Sequence, residues 1–476
     1  MIKEMIQPTA TRRRSLWWAL LALLVLGGVV VLAALSSDRA EAAITFTVNS
    51  TGDQGEPAAS RGDGLCDWDA ATNGPQCTLR AAIQEANTTS GADTIEFNIG
   101  GTGGLKTISP SSALPIITEA LTIDGYTQTG ARPNSLAEGN DALINVQLDG
   151  VNAGSVVPGL RIDASDTTIK GLIIRRFSDF GIVIYGLGGE GNSVEGNFIG
   201  VNRDGITDRG NSDGVFIEGA SNTVGGTEPE MRNVISGNGE SGVVVSSEVA
   251  TENRIEGNFI GTTADGTGPL GNSRDGVTIQ NGTDLNAIGG TLQGAPNRIA
   301  HNGGDGVEIS SFGLNDSEGN HVLSNSIYNN DELGIDLIGG TENPNGVTAN
   351  DSNDTDTGPN NLQNFPVITS ATRSNSTTLT TISGRLNSDP SQDYVIQCYL
   401  TNSGAASSHG EGLRLLDTET VTSSDFNANG NARFSCTRLF PLVGQLQGQT
   451  VSATATNIFT GDSSEFSKNR TIAAVS

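Results

Sequence analysis

One pattern recurs down the middle of the chain: a glycine followed by alternating apolar residues. It stands at Gly181-Ile-Val-Ile, Gly214-Val-Phe-Ile, Gly242-Val-Val-Val, Gly276-Val-Thr-Ile, Gly306-Val-Glu-Ile and Gly334-Ile-Asp-Leu, in steps of 28 to 34 residues. Two further elements share the period. Asn-x-Ile/Val is headed by Asn192, Asn222, Asn253, Asn286 and Asn320, and another Asn-x-Ile by Asn197, Asn233, Asn258, Asn297 and Asn325. Each period therefore holds three short strands separated by turns. A fixed period of this length means a stacked array, since one repeat cannot bury its apolar face alone.

The periods alternate in kind. Those beginning at Gly181, Gly242 and Gly306 pass directly from the second element to the third. Those beginning at Gly214 and Gly276 insert a Gly-Gly and a short loop, at Gly225-Gly226 and Gly289-Gly290. The full repeat is thus 61 to 64 residues.

Three strands per coil predict an all-β fold, a right-handed three-sided parallel β-helix over residues 105–340. A propeller blade needs about four strands in roughly 40–45 residues and does not fit. Gly accounts for 63 of the 476 residues. Gly and Asn are expected at corners that need positive φ, with the recurrent Asn stacked as a hydrogen-bonded ladder.

The two ends read differently. In residues 1–43, Lys3 and Arg12–Arg14 precede an apolar run and Ala40-Glu41-Ala42, which predicts a signal peptide or an uncleaved signal anchor and an exported chain. Residues 44–104 follow as an N-terminal cap. Leu79, Ala82, Ile83 and Ala86 fall on one helical face, with Thr78 as N-cap, and the short helix covers the open end of the core. The run Gly62-Asp63-Gly64-Leu65-Cys66-Asp67, then Cys77-Thr78-Leu79-Arg80-Ala81-Ala82-Ile83-Gln84-Glu85-Ala86-Asn87, then Gly91-Ala92-Asp93-Thr94-Ile95-Glu96-Phe97, resembles the CSLREA domain, with Thr78 and Ala81 replacing the usual Ser and Glu. The resemblance covers about 55 residues. It implies the N-terminal cap of an exported bacterial protein with right-handed, pectin-lyase-like β-helix repeats, and no chemistry.

Residues 341–364 read as an acidic linker, and residues 365–476 as an antiparallel β-sandwich with turns between short strands. The four cysteines form two local pairs, Cys66 with Cys77 and Cys398 with Cys436, read as disulfides of an exported protein.

A formal net charge of −27 excludes nucleic acid as a partner, because phosphate contacts need Lys and Arg. A membrane enters only through the N-terminal segment if it stays uncleaved. The β-helix architecture is shared with polysaccharide lyases and hydrolases, but the site must be argued separately. Lys170, Arg175 and Arg176 are the candidate base cluster of a lyase. Asp204 and Asp265, in loops one full repeat apart, are the candidate carboxylate pair of a hydrolase. Two coils at roughly 4.8 Å each place them roughly 10 Å apart, just beyond the roughly 6.5–9.5 Å of an inverting pair. Asp-Gly is also ordinary turn chemistry. Asp351, Asp354 and Asp356 alternate like ligands of a hard cation, so Ca2+ is the one candidate cofactor. Architecture outweighs site here. The expected function is a non-catalytic secreted or cell-surface protein in adhesion or contact with extracellular glycan or the cell envelope. The alternative is a polysaccharide lyase or glycoside hydrolase.

Overall fold

The computed structural model describes residues 43–475 apart from 70, 73, 102, 312–314, 375–378, 402–406 and 440–447. The predicted signal segment lies outside these residues. Among them, no helix is long and apolar enough to cross a membrane.

Three parallel sheets run the length of the molecule. The first has nine strands, from Thr45–Val48 to His321–Leu323; the second has eight, from Lys106–Ile108 to Ser326–Tyr328; the third has seven, from Leu160–Ile162 to Ile335–Ile338. The chain visits them in turn and winds a right-handed parallel β-helix, the hand that parallel crossovers take. Inward residues are in register from coil to coil. Val194 pairs with Val224 and Val224 with Ile255 on the first sheet, while Ile184, Ile217, Val245, Ile279, Ile309 and Leu337 stack on the third. All of these side chains are buried in one continuous core.

The corners are held by three asparagine ladders. The two legible in the sequence precede the first-sheet and second-sheet strands. Along one, Asn192 donates to Asn222, Asn222 to Asn253, Asn253 to Asn286 and Asn286 to Asn320, each at 2.9–3.1 Å. The third ladder, Asn211, Asn238, Asn272, Asn302 and Asn330, turns the chain from the second sheet to the third. Its spacing to the following glycine changes from three residues at Gly214 to four at Gly242, which hides it from a fixed-period reading. The fifteen ladder asparagines do not have positive φ; they hold corners with their side chains, contrary to the expectation of left-handed backbone. Left-handed corners belong mostly to glycine. At Gly257 (φ 71°) an added Cβ would collide with the Gly226 carbonyl of the preceding turn.

The N-terminal cap is part of the solenoid. Thr45–Val48 and Asp93–Phe97 are the first two strands of the first sheet. The helix Leu79–Ala86 begins where the Thr78 hydroxyl accepts from Ala81 N at 3.1 Å, and its apolar face joins the core. Cys66 and Cys77 are disulfide-bonded beside it.

Residues 341–364 fold back over the last coil. Leu362 enters the core, and buried Asn360 accepts from Asn320 N at 2.9 Å, adding a rung to the first ladder. Beyond it, two four-stranded sheets form a sandwich, antiparallel except where Ala473–Val475 joins Val367–Ser374. The Cys398–Cys436 disulfide joins strand Tyr394–Thr401 of one sheet to Asn431–Leu439 of the other. Tyr399 and Phe466 of the sandwich reach into the solenoid core. Its polar groups cover the end of all three sheets. Val322 N donates to Ser463 Oγ at 2.9 Å, Ile327 N to Gly412 O at 2.9 Å, and Leu337 N to Glu465 Oε1 at 3.4 Å.

Candidate functional site

The candidate base cluster is neutralised by the neighbouring coil. Lys170 pairs with Asp124 at 3.3 Å. Arg175 and Arg176 both converge on Asp149, at 2.8 and 2.5 Å, and Asp149 is buried. Asp149 sits directly across the sheet from Arg175. The arginine hydrogen bonds and charges pull the Asp149 carboxyl below its usual range in spite of burial. These groups serve as a cross-coil clamp.

Asp204 and Asp265 serve their own turns. Asp204 accepts from Ile206 N, Thr207 N and the Thr207 hydroxyl at 2.7–3.0 Å. Asp265 accepts from the Thr263 hydroxyl, Thr267 N and Gly268 N, and these donors hold its carboxyl down at about 2. Coil spacing alone leaves a gap between the two loops, but they close it. The intervening coil has no such loop, so they lean together and Ala264 N donates to Gly205 O at 2.8 Å.

Asp351, Asp354 and Asp356 do converge. Each offers an oxygen within 4.8 Å of the others. Asp354 is also held by Asn364 N at 2.8 Å and by the Ser388 hydroxyl, and burial raises it to about 7. One Asp356 oxygen is buried without a hydrogen-bond donor.

An open concavity lies elsewhere, on the outer face of the second sheet. Outward positions there are not uniformly polar. Ile173, Phe198, Val234 and Phe259 stack in register and form a second apolar cluster under the loops. The stack continues through Arg298 and Ser326 into an open groove of about 1350 Å³. The inserted loops of alternate coils, at Thr227–Pro229 and Gln293–Pro296, form part of its wall. Leu413, Arg414 and Gln449 of the sandwich form another part.

Arginine dominates the groove. Arg232 is buried and lies against the Phe259 ring at 4.6 Å, with its guanidinium on the carbonyls of Leu136, Ala137 and Gly139. Arg298 lies 5.1 Å from the same ring, donates to Gly266 O at 2.9 Å and pairs with Glu138 at 3.1 Å. Glu138 is 86% exposed, so a ligand can displace it from this pair. Tyr328 lines the same wall, edge-on to His301. His301 sits at a left-handed corner (φ 64°) and its pKa is lowered by burial.

None of these groove residues stands out in the sequence. The alternating insertions are legible in the sequence as a change of coil type, but only the structure makes them part of a wall. Comparison with family models, curated proteins and solved structures returns no match.

Proposed function

We propose that this chain is an exported, non-catalytic β-helix protein that contacts extracellular glycan through the groove on its second face. The single observation that carries this reading is the groove itself: Arg298, Arg414 and the Tyr328 ring gathered in one open channel on a chain of net charge −27. Guanidinium groups recognise hydroxyl and carboxylate oxygens in a plane. An aromatic ring beside them offers an apolar face to a sugar. Export is supported by the basic-then-apolar N-terminal segment, the CSLREA resemblance and the two disulfides. Adhesion to the cell envelope is the role we assign to this contact. We further assign Ca2+ to Asp351, Asp354 and Asp356, supported by their convergence and the donorless Asp356 oxygen.

The test is binding of the purified protein to a panel of neutral and uronate glycans, alongside assays for reducing ends and unsaturated products. Retention of a glycan without turnover, weakened at least tenfold by Arg298→Ala and Tyr328→Ala, is the expected result. Turnover of any bound glycan would replace this reading with a lyase or hydrolase. Binding that both variants leave intact would remove the groove from it.

A further inference from the structure

Asp275 and Asp305 end the corners that lead into two successive strands of the third sheet, and Glu308 points outward from the second of those strands, between core residues Val307 and Ile309. Each offers a carboxylate oxygen, and these atoms lie within 4.8 Å of one another. Two oxygens bound to one calcium at about 2.4 Å each can be at most about 4.8 Å apart.

A separate observation points to a ligand here. Asp336 occupies the outward position on the next strand, directly across from Glu308. It is only 8% exposed, and its Oδ1 is buried with no hydrogen-bond donor. A buried carboxylate oxygen without a donor is costly unless a cation completes it. Among the described residues no ion pair to Asp336 does so, and the basic side chain nearby, Arg274, is turned outward onto Glu240 at 2.8 Å.

The hydrogen bonds already present fix the carboxylates without exhausting them. Asp275 accepts from Asp305 N and from the Thr278 hydroxyl, both at 2.9 Å. Asp305 accepts from Leu333 N at 2.6 Å, and Glu308 from the Ser310 hydroxyl at 2.8 Å. Each carboxylate has about four lone-pair sites, so lone pairs remain on every one.

We propose that Asp275, Asp305 and Glu308 bind one calcium ion that ties together two successive coils, with the donorless Asp336 carboxylate beside it on the next strand. Calcium suits the site better than magnesium, which keeps several waters and demands a near-ideal octahedron. The ion is distinct from the one assigned to Asp351–Asp356, and it does not depend on the glycan reading.

The test is calcium stoichiometry of the chelator-stripped protein by equilibrium dialysis, with magnesium as the comparison ion. Asp305→Asn and Glu308→Gln should each lose one equivalent, or weaken it at least tenfold, while Asp354→Asn keeps it. Parent stoichiometry in both variants overturns the proposal. Should Asp305→Asn fail to fold, Glu308→Gln and the anomalous density of calcium-soaked crystals decide it. A peak among Asp275, Asp305 and Glu308 supports the site, and a peak only at Asp351–Asp356, or none, overturns it.

Discussion

The Glu411 carboxylate accepts from the backbone N–H of Asn330, the last rung of the third asparagine ladder, at 2.9 Å, and from Asn329 N at 2.6 Å. One buried side chain of the sandwich therefore satisfies donors that a further coil would otherwise have taken. Glu411→Ala leaves two partly buried N–H groups without their acceptor, at about 1–3 kcal/mol each at most. The expected outcome is a loss of about 2–5 kcal/mol in denaturant unfolding, with faster amide exchange confined first to 329–337. Loss spread evenly over all coils would contradict an end-cap role.

An interior rung should matter more than an end rung. Asn253 accepts from both the backbone N and the side chain of Asn222, and donates to Asn286 at 3.0 Å. Asn253→Ala removes an acceptor and a donor at a fully buried corner, costing about 3 kcal/mol. Asn192→Ala, at a rung whose oxygen accepts only from Thr167 N, should cost less. Thermal unfolding of the two variants side by side tests the order.

The cross-coil clamp predicts a structural phenotype for residues that resemble a lyase base. Asp149→Asn strands two arginines beside a buried amide, a loss of about 3–5 kcal/mol. Arg176→Gln, at the more exposed partner, should cost less than that. Both should leave glycan retention in the groove unchanged at temperatures where the variants are folded.

Acid and alkaline limits should differ in origin. Burial, with Glu85 close by, raises Glu56 from 4.5 to about 7. The native state then holds a proton that the unfolded state has lost, so this group's contribution falls as pH rises from about 4.5 to about 7. Asp265 has the opposite sign. Its carboxyl is held down from 3.8 to about 2, so its contribution is present above about 4 and fades as pH falls toward 2. Melting temperature against pH, in chelator, should decline above pH 5, and Glu56→Gln should flatten that decline.

The two disulfides close loops of different length, with cysteines 11 and 38 residues apart. On chain entropy alone they contribute about 3 and about 4 kcal/mol. Replacing Cys398 and Cys436 together by Ala should lower the denaturation midpoint more than replacing Cys66 and Cys77.

What the chain discloses without coordinates is whatever repeats at a fixed spacing. The coils, the alternation between them and two ladders are visible because stacking forces the same residue to the same corner. The ladder through Asn211 and Asn238 escapes because one coil is a residue shorter at that turn. Asn360 escapes because it belongs to a stretch with linker composition, and only contact with Asn320 reveals it as a rung. The groove is assembled from residues as far apart as Glu138, Thr227, Arg298 and Gln449, and no local pattern joins them. Lys170, Arg175 and Arg176 are legible as a cluster, but their partners Asp124 and Asp149 lie a coil away, and only the register makes a clamp of them.

The closure of the last coil bears on more than stability. A parallel array of identical strands is a template for its own extension, and an exposed terminal coil would recruit further chains into fibrils. Here Ser463, Gly412 and Glu465 occupy that edge on all three faces. The rod is therefore a ruler of set length, about 40 Å along its nine-stranded sheet at roughly 4.8 Å per step. Its reach is counted in coils by the gene rather than by concentration.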